Sequence, residues 1–155
     1  MLFFKRKLLY PPKMAQRADA DELHQSYIRY LKTIKKNLPE SAWKLAGLMF
    51  HDAKVLKVNQ PTKCELTITL DGGYWGTGYD FFNNRRLNGR YTDLSFFGVK
   101  KAWVPATIVG DWWLYEELNL SDIANFDYQA MLANDEIRIQ ADDVEIRSYN
   151  SLPQR

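Results

Sequence analysis

The spacing of apolar residues changes its period once, near residue 51, and this confines the chain to folds that join a helical part to a sheet. Before the change, Leu23, Tyr27, Tyr30, Leu31, Ile34 and Leu38 recur at helical spacing, while Arg29, Lys32, Lys35 and Lys36 point largely elsewhere. After it, Ala53, Val55, Leu56 and Val58, then Leu66, Ile68 and Leu70, follow the period of two expected of half-buried strands. Helical and extended segments thus occupy separate blocks, which is the arrangement of an α+β domain.

Further signals place the elements. Leu2 to Tyr10 alternates and is stopped by Pro11-Pro12, so a first strand is expected there. Asp19 or Asp21 is the expected N-cap of the first helix, and Pro39 suits the first turn of a second, ending about Met49 with Trp43 and Ala46 on its buried side. Two antiparallel strands joined across Asn59 to Lys63 follow, then an aromatic insert from Tyr74 to Gly89 that reads as a loop or irregular hairpin. Arg90 to Val99 is strand-like, with Leu94 and Phe96 on one face and Gly98 bending or ending it. A hairpin around Asn134-Asp135 and a short strand at Val144 to Ile146 complete the sheet. The expected fold is two N-terminal helices packed on one antiparallel sheet of six or seven strands, curled toward a barrel. It forms a single domain over 1–155: a strand-plus-helical part to residue 49, a sheet part over 50–147 and a tail from 148.

At 155 residues the chain is long enough to bury a full core, and one cysteine, Cys64, excludes an internal disulfide and any cysteine-based zinc cluster. No apolar run reaches membrane-spanning length and the start lacks the order of a signal peptide, so a cytoplasmic protein without a membrane partner is expected. Phe3, Phe4 and the Lys5 to Lys7 triplet leave a short amphipathic anchor open. Charge is uneven: residues 1–60 carry 12 Lys/Arg against 5 Asp/Glu, and residues 101–155 carry 4 against 10. Opposite ends can therefore attract partners of opposite sign, or simply face each other.

Few residues offer chemistry. His51-Asp52 pairs an imidazole with an acid at the change of period, a general-base or ligand arrangement that structural roles also explain. Glu116-Glu117 supplies two carboxylates inside Trp112-Trp113-Leu114-Tyr115-Glu116-Glu117. If that run is a strand, Trp112, Leu114, Glu116 and Leu118 share one face and Trp113, Tyr115 and Glu117 the other, so one glutamate falls among apolar neighbours and must be paired or hold its proton. A helix starting at Asp111 is the alternative. Arg85, Arg86 and Arg90 lie among Tyr79, Phe81, Phe82 and Tyr91, the pairing of cations and rings that holds single-stranded nucleic acid, although the near-neutral total argues against it. No cofactor motif and no metal-ligand spacing is present in the sequence.

Together, Phe50-His51-Asp52-Ala53, Leu66-Thr67-Ile68, Leu94-Ser95-Phe96-Phe97-Gly98-Val99, the Trp-Trp-Leu-Tyr-Glu-Glu run and Ala141-Asp142-Asp143-Val144 resemble small bacterial proteins classed as a domain of unknown function, over about residues 50–147. The resemblance implies an antiparallel sheet domain and brings no catalytic residues. Immunity proteins that neutralise toxins are an analogy for its partners. The leading expectation is a non-enzymatic module that binds another protein through Trp113, Tyr115 and Glu117, with Trp75, Tyr79, Arg85 and Arg86. The alternatives are a hydrolase-like enzyme using His51, Asp52 and Glu116 or Glu117, a single-strand nucleic-acid binder, or a homo-oligomer.

Overall fold

A computed structural model describes residues 17–73 and 78–152, with side chains from residue 22 onward. The strand expected at 2–10, the amphipathic anchor, Tyr74 and Trp75 lie outside the described residues. Helix α1 spans Arg17–Ile34, so Asp19 and Asp21 lie within it and not at its start. The chain tightens into a 3-10 turn at Lys35–Asn37, and Pro39 then holds Leu38 extended. Helix α2, Glu40–Ala46, buries Ala42, Leu45 and Ala46. It stops at Gly47, short of the expected Met49, because the Phe82 ring occupies the space beyond it: a Cβ on Gly47 would lie 2.4 Å from that ring. Phe82 itself stacks on Trp43, with centroids 4.4 Å apart.

Eleven strands follow among the described residues, in three sheets. The first sheet orders β1 (Leu48–Met49), β4 (Tyr79–Asp80) and β5 (Arg85–Arg86). The second joins β11 (Asp143–Tyr149), β6 (Tyr91–Phe97), β3 (Glu65–Asp71) and β2 (Lys54–Thr62). The third joins β7 (Lys101–Trp103), β10 (Glu136–Ala141), β9 (Phe126–Leu132) and β8 (Trp113–Asn119). All pairings are antiparallel.

The two four-stranded sheets face each other, with Phe96 of one against Tyr128 and Phe126 of the other at 5.5 and 6.4 Å. They are joined at two corners. At one, the links β6–β7 and β10–β11 run side by side: Gly98 takes φ +60°, and a Cβ there would lie 2.6 Å from Asp142, whose carboxylate meets Lys100 at 2.7 Å. Only glycine fits both that backbone and that approach. At the other corner, Ala53 and Val55 exchange backbone hydrogen bonds of 2.7 to 2.9 Å with Gly110, Asp111 and Trp113, which ties the start of β2 to the start of β8.

The α+β, antiparallel reading agrees with this architecture. Its finer form does not: there are three sheets in place of one, eleven strands in place of six or seven, and no sheet closes into a barrel. β1, β4, β5 and β7 have two or three residues each, too few to show alternation. The helices do not form a paired N-terminal layer either. α1 contacts β8, whereas α2 contacts β11 and β8. The last strand runs through Ser148 and Tyr149, which pair with Thr92 and Tyr91, so the expected tail begins later.

Candidate functional site

β8 is the hinge of the site, and its geometry depends on one extra residue. At its start, Asp111 accepts hydrogen bonds from both the backbone and side-chain nitrogens of Asn134, 3.0 Å each, and Ala133 N–H donates to Trp112 O at 2.9 Å. At its far end Leu118 is opposite Tyr128. One residue too many lies between these anchors: Trp113 faces Leu132 while Tyr115 faces Met131, so Leu114 is taken up in a β-bulge. Cross-strand partners share a face. Trp113, Glu116 and Leu118 therefore lie on the inner side with Tyr128, Ala130 and Leu132, and Tyr115, Glu117 and Asn119 lie on the outer side.

The strand alternative for 111–118 is the one the structure adopts, but the expected faces are exchanged beyond the bulge. Trp113 and Glu117 fall on opposite sides, and both are fully buried, so they form no free contact face. Tyr115 is half-buried and packs edge-on against His51, centroids 5.3 Å apart.

Glu116 ends beneath the inner side. Its carboxyl accepts the Phe50 backbone N–H at 3.0 Å and the Trp113 indole Nε1–H at 2.9 Å. The residue as a whole keeps some exposure, yet its carboxyl end is enclosed. Burial pushes that carboxyl up to about 8, against the opposing pull of the Trp113 and Phe50 hydrogen bonds. It forms the floor of a cavity of about 120 Å³, walled by Tyr27 of α1, Leu45 of α2, Leu48 of β1, Phe81 and Tyr128, with His24 and His51 also in the lining. His51 and Met49 are its exposed members. The Tyr27 hydroxyl accepts the Leu118 N–H at 2.6 Å and so covers the edge of β8 with α1. The Tyr128 hydroxyl has no hydrogen-bond partner among the described residues, and burial drives its pKa far upward.

His51 also borders a wider, open cleft of about 740 Å³ with Asp52, Lys54, Asp71, Arg86 and Trp112. Its Nδ1 is 3.0 Å from Asp52, which adopts a left-handed φ of 66°. His51 and Glu116 thus share the small cavity, Asp52 looks into the open cleft, and Glu117 is on the other side of the sheet. Of the hydrolase candidates, His51 therefore meets Asp52 on the side of the cleft and shares the cavity with Glu116, and Glu117 is not with them.

The arginines expected to meet nucleic acid are largely engaged. Arg90 holds Asp71 through two hydrogen bonds of 2.9 Å, and this keeps the Asp71 carboxyl below the usual range. Arg85 is 3.5 Å from Asp80, and Arg86 and Tyr79 line the open cleft. Sequence reasoning took Tyr27 as helix core and passed over Tyr128. The available signal was a tyrosine at an inward strand position, where the hydroxyl must find a partner or a ligand. Among the described residues there is no group of three or more potential metal ligands, and no helix is long and apolar enough to cross a membrane.

A family model described as "Protein of unknown function (DUF4085)" matches residues 11–136. The chain belongs to this family. The DUF4085 match contains the Trp-Trp-Leu-Tyr-Glu-Glu run and reaches back over both helices, which the motif resemblance had left outside, while β11 lies beyond it. No curated protein and no solved structure gives a significant match. In this DUF4085 chain the whole small cavity, from His24 to Tyr128, falls inside the matched segment.

Proposed function

We propose that this DUF4085 chain is a binding module, and that what it binds is a small organic group inserted into the cavity above Glu116. The observation that carries the reading is a carboxyl group enclosed by apolar and aromatic side chains, next to a buried hydroxyl that no described residue satisfies. Buried polar groups are ordinarily paired, and an unpaired one costs about 1–3 kcal/mol. A ligand supplying a polar atom to Tyr128 and Glu116 would recover part of that cost. At roughly 30 Å³ per water, the cavity has the room of about four waters, which suits a group of a few heavy atoms.

The Trp113 indole N–H is bonded to Glu116, so its NMR signal reports directly on the site. Titration of isotope-labelled protein with n-butanol and with n-butylammonium chloride is expected to shift the Trp113 indole resonance saturably with at least one probe. The resonance of Trp103, 67% exposed and away from the cavity lining, should stay still. No saturable shift with either probe overturns the reading.

A further inference from the structure

We infer that the cavity selects a primary ammonium carried on a short apolar chain, with Glu116 as its counter-ion, Tyr128 as its hydrogen-bond acceptor and the surrounding rings as its cation-attracting wall. This deepens the binding reading above and rests on it.

The argument is one of charge and geometry. Both groups that bond Glu116 are neutral donors, a backbone amide and an indole, and no cation of the described residues lies within ion-pair distance of it. Three other acids each meet a cation of the fold, Arg138 at Asp127, Arg90 at Asp71 and Lys100 at Asp142, whereas Glu116, like Asp111, meets neutral donors. Among the described residues, Glu116 is left to hold a proton or to meet a positive charge supplied by something else. Tyr27, Phe81, Tyr115 and Tyr128 line the cavity, and ring faces attract ammonium groups, most strongly where water is excluded. Leu45 and Leu48 offer the apolar contact that an alkyl stem needs. A neutral alcohol could satisfy Tyr128 but would leave Glu116 without a counter-charge. An anion would be repelled.

The inference fixes a pH dependence. Groups that face Glu116 or the cavity are His24 and Tyr27 from α1, His51 from the turn after β1, Tyr115 from β8 and Tyr128 from β9, with Glu117 near Tyr27 on the outer side. With the Glu116 carboxyl at about 8 in the empty cavity, binding an ammonium below that pH must expel a proton. Affinity therefore rises with pH by up to about tenfold per unit below about 8, levels off above it, and falls once a lysine-like amine loses its own proton near about 10.4.

The ammonium has two sources, a free alkylamine or the lysine side chain of a partner protein, and three probes separate them: n-butylammonium, n-butanol and Nα-acetyl-lysine N-methylamide. Near pH 8.5, butylammonium is expected to bind at least about tenfold more tightly than butanol, a difference of about 1.4 kcal/mol. Glu116→Gln should remove that preference and leave butanol binding in place. Tyr128→Phe deletes only an unpaired hydroxyl, so it tests the site even if Glu116→Gln folds poorly. It should weaken butylammonium several-fold. Tighter binding of the capped lysine points to a protein partner, and binding of the free amine alone points to a small molecule. Butanol binding as tightly as butylammonium at every pH overturns the inference while the binding reading stands. Silence from all three probes removes both.

Discussion

The two sides of the β7–β10–β9–β8 sheet each hide a carboxyl group, and they treat it differently. On the outer side Asp127, 4% exposed, is gripped by the Arg138 guanidinium through both of its oxygens and is also approached by Gln129 at 3.3 Å. On the inner side Glu116 receives one amide and one indole N–H. The first charge is balanced within the fold, so burying it settles the structure. The second is stabilised by dipoles alone, so its balance depends on protons and solutes around the protein. A shielded acid with its own arginine is architecture; one without is free to respond.

The largest expected effect is in the pH dependence of stability. A Glu carboxyl of about 4.3 in the unfolded chain is raised to about 8 in the fold. The native state then holds a proton that the unfolded state has released, so this contribution is complete below about pH 4 and is lost as pH rises through about 8. Urea unfolding should show stability falling by about 1 kcal/mol per pH unit between about pH 5 and pH 8. Glu116→Gln should flatten the slope. A native slope already flat over that range would mean that Glu116 is balanced like Asp127. Next in size, Arg138→Met should cost about 2 kcal/mol at neutral pH by leaving the Asp127 charge buried, with Arg138's half-exposed position keeping the loss below that of a fully enclosed pair. A loss under about 0.5 kcal/mol would erase the contrast between the two sides. The smallest effect belongs to Tyr128→Phe, which should leave stability unchanged or raise it by about 1 kcal/mol or less, because the hydroxyl removed has no partner. Marked destabilisation, read as a lower Tm, would show that the hydroxyl is bonded after all.

Much of the frame was legible because it follows from periodicity. Tyr27, Leu31 and Ile34 are buried as helical spacing demands, and Leu66, Ile68, Leu70, Leu94 and Phe96 as alternation demands. The hairpin at Asn134-Asp135 forms where turn residues lie. The site was half legible. His51 and Glu116 were both singled out and do share a cavity; of the two adjacent glutamates Glu117 has no exposed surface, and the Glu116 carboxyl is held by two N–H donors. Which face each residue takes could not be read. The bulge at Leu114 is set by Asp111 reaching Asn134, twenty-three residues away, and alternation counted along one strand carries no trace of its partner's anchor. The break at Gly98 was legible, but not that the chain there, and again at Asp142, crosses from one sheet to the other.

The bulge also makes β8 a parity device. Ahead of Leu114 the odd-numbered Trp113 points inward; after it the even-numbered Glu116 and Leu118 do. Removing Leu114 would let Trp113 and Tyr115 follow one another opposite Leu132 and Met131 in regular register, so the bulge would vanish while Glu116 stayed opposite Ala130 and Glu117 opposite Gln129. The extra residue is therefore what lets Trp113 and Tyr115, two positions apart in sequence, stand on opposite faces of one strand.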